Sequence, residues 1–124
     1  MVRNRGGIRE TTLERINSVS YPRRGEIYLV KARPALIVSM DVRNRLANDV
    51  IVVPVSTTQR PAPTHVRLPA GEGGLRETSM AKCEQVTTLE KSFLIRGPFA
   101  GAINPALMQE VEKAIQRAIG IFLP

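Results

Sequence analysis

The chain has 124 residues, 43% of them hydrophobic, and its 18 Lys and Arg against 11 acidic residues give a formal charge of +7. That length fits one domain with one modest core, and the basic balance favours polyanionic partners, because each neutralised phosphate releases counterions. A single cysteine excludes an intramolecular disulfide, no apolar run is long enough to cross a membrane, and three Phe, two Tyr and no Trp leave little for an aromatic stacking platform, so the expectation is a cytoplasmic protein in which Cys83 is a structural thiol.

In chain order, residues 1–21 read as an N-terminal arm or short helix, with a Thr11-x-x-Glu14 capping box and Leu13, Ile16 and Val19 three apart. Residues 22–124 read as one domain. Within it, runs 26–30, 35–40, 50–55, 64–68 and 79–86 are rich in β-formers and separated by turn signals, which predicts a small barrel or sandwich. The second and third runs are almost wholly apolar, as strands covered on both faces should be. Segments 59–63, with two prolines, and 70–75, with three glycines, predict loops. Near the C-terminus Asn104 is a helix N-cap and Pro105 occupies the first turn. Leu107, Met108, Val111, Ala114, Ile115, Ala118, Ile119 and Phe122 then recur three and four apart, and Gly120 marks the stop.

The residues that carry chemistry sit at strand ends. Arg33 precedes the apolar run from Pro34 to Ser39, and Ser56 closes the run from Val52, so the two can meet at one mouth of a barrel. A guanidinium suits phosphate because its planar fork holds two oxygens and stays charged. In the run from Ser79 to Gln85, strand alternation predicts Lys82 and Glu84 on one face and Cys83 with Gln85 on the other. Lys82 and Glu84 are either an exposed pair or a basic and an acidic group facing substrate. His65 is the lone histidine, so one subunit cannot run a two-histidine acid/base mechanism, and a structural hydrogen-bonding role is expected of it. One His and one Cys give no metal-ligand spacing, and no cofactor motif appears: the glycines at 71, 73 and 74 lack a following Lys-Ser/Thr.

Taken together, Arg24-Gly25-Glu26-Ile27-Tyr28, Arg33-Pro34-Ala35-Leu36-Ile37-Val38-Ser39, Val53-Pro54-Val55-Ser56, Pro63-Thr64-His65-Val66, Gly74-Leu75 and Cys83-Glu84-Gln85 make the chain resemble the MazF/PemK/Kid family of toxin endoribonucleases. The resemblance covers roughly the stretch from residue 23 onward. It implies an SH3-like small β-barrel with a C-terminal α-helix, a homodimer, and metal-independent cleavage of single-stranded RNA under control of a cognate, acidic antitoxin. It assigns Arg33 and Ser56 catalytic roles and makes Glu84 the candidate acceptor of the 2′-hydroxyl proton. Lys31, Thr57, Thr58, Lys82 and Gln85 become RNA-binding candidates. The chain departs from the family in one respect: only Lys31 and Ala32 separate the first strand from Arg33, where members usually carry a long loop. Two other readings compete with the nuclease, a gyrase poison of the CcdB type sharing the fold and a non-catalytic SH3-like nucleic-acid-binding module.

Overall fold

The computed structural model describes residues 21–122, so the expected N-terminal arm lies almost wholly outside it. Strand β1 (Ile27–Val30) returns into β2 (Arg33–Ile37) through Lys31 and Ala32 alone, with Val30 paired to Arg33. Lys31 takes φ +57°, a left-handed conformation that costs an ordinary L-residue about 1–2 kcal/mol. The next strand, β3 (Asp49–Ser56), pairs antiparallel with β2, setting Ala35 against Pro54 and Ile37 against Val52. Strands β4 (His65–Leu68), β5 (Ser79–Lys82) and β6 (Thr87–Glu90) complete an antiparallel set in the order β1-β2-β3-β5-β4, with β6 also on β3.

That double use of β3 gives the sheet its barrel shape. Residues Asp49 to Val52 pair with β6, whereas Val55 and Ser56 pair with Ala81 and Met80 of β5. Among the described residues the outer strands β1 and β4 are not paired with each other; β1 is instead tied to the segment after β6, where Leu29 bridges Arg96. The expected SH3-like architecture is therefore present as a partly open barrel.

The apolar second and third runs are covered on both faces, as their composition predicts. Leu36, Val53 and Val55 point into the larger core with Ile27, Leu68 and Ala81, while Ala35, Ile37, Val50 and Val52 pack with Tyr28 on the other side. Each of the Val, Leu and Ile side chains among them contributes about 1.5–3 kcal/mol through burial. Helix α2 (Pro105–Ala118) covers the larger core with Met108, Val111 and Ala114. Its start is capped by Asn104, whose side chain accepts from the Leu107 amide at 2.9 Å, and Gly120 follows its end at φ +90°. The apolar stripe outruns the core: Ile119 and Phe122 are 64% and 77% exposed. No helix of the described residues is long and apolar enough to cross a membrane.

Three elements differ from the expectation. The 35–40 run stops at Ile37 because Met40 caps a short helix, α1 (Asp41–Leu46). That helix is anchored by buried Asn44, which donates to the Ser39 carbonyl at 2.9 Å, while the Ser39 hydroxyl bonds Asn44 Oδ1 and accepts from the Ile51 amide. The 79–86 run is not one strand: β5 ends at Lys82, and a 3₁₀ turn over Cys83–Gln85 leads into β6. Alternation across residues 82–85 therefore fails. Cys83 is buried as expected, but Gln85 is exposed rather than sharing its side.

Candidate active site at the barrel mouth

The β2–β3 register builds the mouth. The recorded pairing ends at Ala35 with Pro54; carried two residues further along each strand, the same register sets Arg33, the first residue of β2, against Ser56, the last of β3. Arg33 is exposed, and among the described residues its side chain has neither an ion-pair partner nor a hydrogen bond. The Ser56 hydroxyl oxygen accepts from the Thr58 amide at 3.1 Å, a local turn that fixes the oxygen and leaves its own O–H to donate elsewhere. Thr57 and Thr58 are exposed beyond the strand end, and Gln59 steadies this turn by donating to the carbonyls of Thr57 and Thr78. Lys31 stands in the β1–β2 turn, two residues before Arg33.

A cavity of about 800 Å³ opens beside the pair. Pro34 and Thr57 line it from the Arg33 and Ser56 sides, Leu29 from β1, and Arg76, Arg96 and Phe99 from the two irregular segments that approach the mouth.

Glu84 belongs to a different place. β5 lies between β3 and β4, and with Ser56 paired to Met80 the chain runs away from the mouth through Lys82 before reaching Glu84. There the carboxylate turns toward β4, accepting from Thr64 Oγ1 at 2.9 Å and from His65 Nε2 at 3.0 Å. His65 Nδ1 meets the Arg60 carbonyl at 2.5 Å, and its side chain is only 8% exposed. Both ring nitrogens thus face acceptors, an arrangement that only the imidazolium satisfies in full. The Arg60 carbonyl bond and then the Glu84 carboxylate raise the His65 pKa above its ordinary 6.5, against the effect of burial. Burial pushes the Glu84 carboxyl up, but hydrogen bonds from His65, its own backbone and Thr64 outweigh this and leave it below its ordinary 4.5.

Lys82 is half-buried opposite His65, with no ion pair to Glu84 among the described residues, so the exposed Lys82–Glu84 pair does not form. Burial pushes the Cys83 thiol up to about 12, which keeps it protonated and unreactive. Of the sequence candidates, Arg33, Ser56 and Thr57 lie at the same end of the β2–β3 pair, and Glu84 is gathered with His65 and Thr64 at a corner between β4 and β5.

Residues 15–119 match the family described as PemK-like, MazF-like toxin of type II toxin-antitoxin system. The chain belongs to that PemK/MazF-like toxin family. Endoribonuclease MazF1 of Mycobacterium bovis is 34% identical over 107 residues, covering 83% of this chain and 97% of that relative. A mycobacterial endoribonuclease solved in complex with its cognate antitoxin superposes with a TM-score of 0.73 at 34% identity, over 83% of this chain and 99% of its own. The MazE-MazF structure from Deinococcus radiodurans shares the fold, with a TM-score of 0.72 at 20% identity over 83% of this chain and 100% of its own.

In this member of the PemK/MazF family, sequence reasoning missed Arg76, Arg96 and Phe99 as residues of the mouth. Their only signal was charge or aromaticity in loops that contain glycine or proline. No periodicity marks such positions, because their convergence depends on where two loops are tied down.

Proposed function

We propose that this chain is an endoribonuclease toxin that cleaves single-stranded messenger RNA without a metal ion, acts in the cytoplasm as a homodimer, and is neutralised by an acidic antitoxin. The ribose 2′-hydroxyl attacks the adjacent phosphorus and gives up its proton, and the 5′-oxygen leaves and takes a proton. The products are a 2′,3′-cyclic phosphate and a 5′-hydroxyl.

The observation that carries this reading is that Arg33, whose guanidinium has no partner among the described residues, begins β2 at the end of the β2–β3 pair where Ser56, with a hydroxyl free to donate, closes β3. A phosphorane carries extra negative charge on its non-bridging oxygens, and fixed donors aimed at that charge are worth most in the transition state. Arg33 acts as that fixed charge rather than as an acid, since its pKa above about 12 makes proton loss costly. Glu84 is the acceptor in this reading, acting from the β4–β5 corner rather than from within the mouth; a carboxyl held below its ordinary value and already bonded to His65 and Thr64 is a weak base, so charge stabilisation at the mouth supplies the larger share of the acceleration. Lys31, Thr57, Thr58, Lys82 and Gln85 contact the RNA backbone and bases on either side. The charge of +7 favours an acidic antitoxin tail laid over the same surface.

The test is incubation of the purified protein with a long single-stranded RNA in EDTA beside an Arg33→Ala control. Discrete cuts ending in cyclic phosphate, absent from the control, are expected. Intact RNA across varied substrates would overturn the nuclease and favour a binding module or a gyrase poison.

A further inference from the structure

The cavity beside Arg33 combines three properties that the cleavage chemistry does not itself require. Its volume, about 800 Å³, lies within the range of roughly 300–1,000 Å³ typical of small-molecule sites. Its lining is mixed: Leu29, Pro34 and Phe99 make an apolar wall, while Arg76 and Arg96 stand at the same opening. Both arginines are exposed and, among the described residues, neither has a carboxylate within ion-pair distance, whereas Arg24 and Arg43 are paired with Glu112 and Asp49.

The walls are also held in place, although the segment carrying Arg96 and Phe99 has little regular structure. The Leu29 amide donates to the Arg96 carbonyl at 2.8 Å, the Ile95 amide to the Leu29 carbonyl at 2.9 Å, and the Phe99 amide to the Ile27 carbonyl at 3.0 Å. Three backbone bonds to one edge strand thus fix this wall before any ligand arrives. Gly74 packs directly against this wall, so close to Phe99 that a Cβ there would come within 2.8 Å of the Phe99 Cβ. The two-residue β1–β2 turn contributes nothing to the lining and leaves the cavity open beside Arg33.

We propose that this cavity is a nucleotide subsite. It takes one unstacked ribonucleotide flanking the cut phosphate, with the base lying on the Phe99 ring and the apolar wall, and the neighbouring phosphates on Arg76 and Arg96. One carboxylate, Glu77, also lines the cavity, so the two guanidinium groups leave a net positive charge beside an apolar wall, which fits a ligand that is a ring at one end and an anion at the other. Single-stranded RNA offers that unit because its bases can splay out of the stack. The subsite rests on the reading that the chain handles single-stranded RNA, and it makes Phe99, Arg76 and Arg96 determinants of where cutting occurs.

The test uses the full chain carrying Arg33→Ala and a fluorescein-labelled 12-nucleotide RNA selected from a random pool for binding to it. Versions of that RNA, each lacking one base, are then titrated. One abasic position is expected to weaken binding by about tenfold, the size of one lost base–aromatic stack, and adding Phe99→Leu should reduce that penalty to near twofold. Phe99→Tyr should restore it. Arg76→Ala with Arg96→Ala should flatten the slope of log affinity against log salt by about 1.4, as loss of two single-strand phosphate contacts predicts. Equal binding of all abasic versions, or a penalty unchanged by both Phe99→Leu and the double arginine variant, would overturn the subsite. Cleavage by the unmutated protein is scored separately, so a binding protein that fails to cut overturns the nuclease while the abasic pattern still decides the subsite.

Discussion

Two polar regions flank β5, and they are built on opposite rules. At the mouth, Arg33, Arg76 and Arg96 have no carboxylate partner among the described residues, and Ser56 keeps a hydrogen to give. At the β4–β5 corner, Glu84, His65, Thr64 and the Arg60 carbonyl are bonded to one another. Unsatisfied donors on a fixed frame mark where a ligand supplies the missing partner. Satisfied ones mark where the frame itself is tied, here the 59–63 loop that also receives Arg117 on the Pro63 carbonyl.

The sharpest way to break this contrast is Arg33→Ala. Cleavage should fall by about 10²–10³-fold, the usual cost of losing one transition-state donor, while an exposed site leaves stability within about 0.5 kcal/mol. A cleavage time course beside a thermal melt checks both halves. His65→Ala should behave inversely, lowering unfolding free energy by about 1–3 kcal/mol, measured in urea, with a smaller loss of activity than Arg33→Ala.

The corner also has a pH signature. The raised His65 value means its contribution is complete below pH 6.5 and fades as pH rises through the higher folded value. The lowered Glu84 value means its contribution is complete above pH 4.5 and fades as pH falls through the lower folded value. The stability gap between the unmutated protein and His65→Ala should therefore be widest between those limits and narrow on either side. A gap that is flat with pH would show that the ring is held without its charge.

Ser56→Ala should slow cleavage by about tenfold, the worth of one neutral hydrogen bond, and leave the melt in place. The smallest effect is expected at the β1–β2 turn, where Lys31→Asn relieves part of the left-handed strain and should stabilise by under about 1 kcal/mol. A loss of stability there would show that the lysine side chain makes contacts worth more than its backbone costs.

The strands and the main helix were legible because their signals are local. β-branched runs at 50–55, a capping Asn104 ahead of Pro105 and a stop at Gly120 each act within a few residues. Helix α1 was not legible, since it has no apolar stripe and hangs on one buried side chain, Asn44, bonded to Ser39. The corner at Cys83–Gln85 was hidden because a continuous β-like run gives no sign that its middle turns. For the same reason the groups that hold Glu84 were not legible beside it: His65 and Thr64 come from the start of β4 and the residue before it, some twenty residues earlier. Arg33 and Ser56 were readable as partners since they end adjacent antiparallel strands. Arg96 and Phe99 were not, because bonds between their loop and the edge strand bring them to the mouth, and Arg76 was not, because it follows a glycine-rich turn; no periodicity records either.

Glu72 gives the architecture a mechanical character. Its carboxylate accepts from the Asn104 amide at 3.0 Å and from the Asn104 side chain at 3.1 Å, and it belongs to the same short turn as Gly74, which with Leu75 lines the cavity. One side chain is thus a strut between the start of α2 and the cavity rim. The rim turn and the first turn of α2 are therefore one tied unit, and without this carboxylate both Asn104 donors lose the partner that joins them.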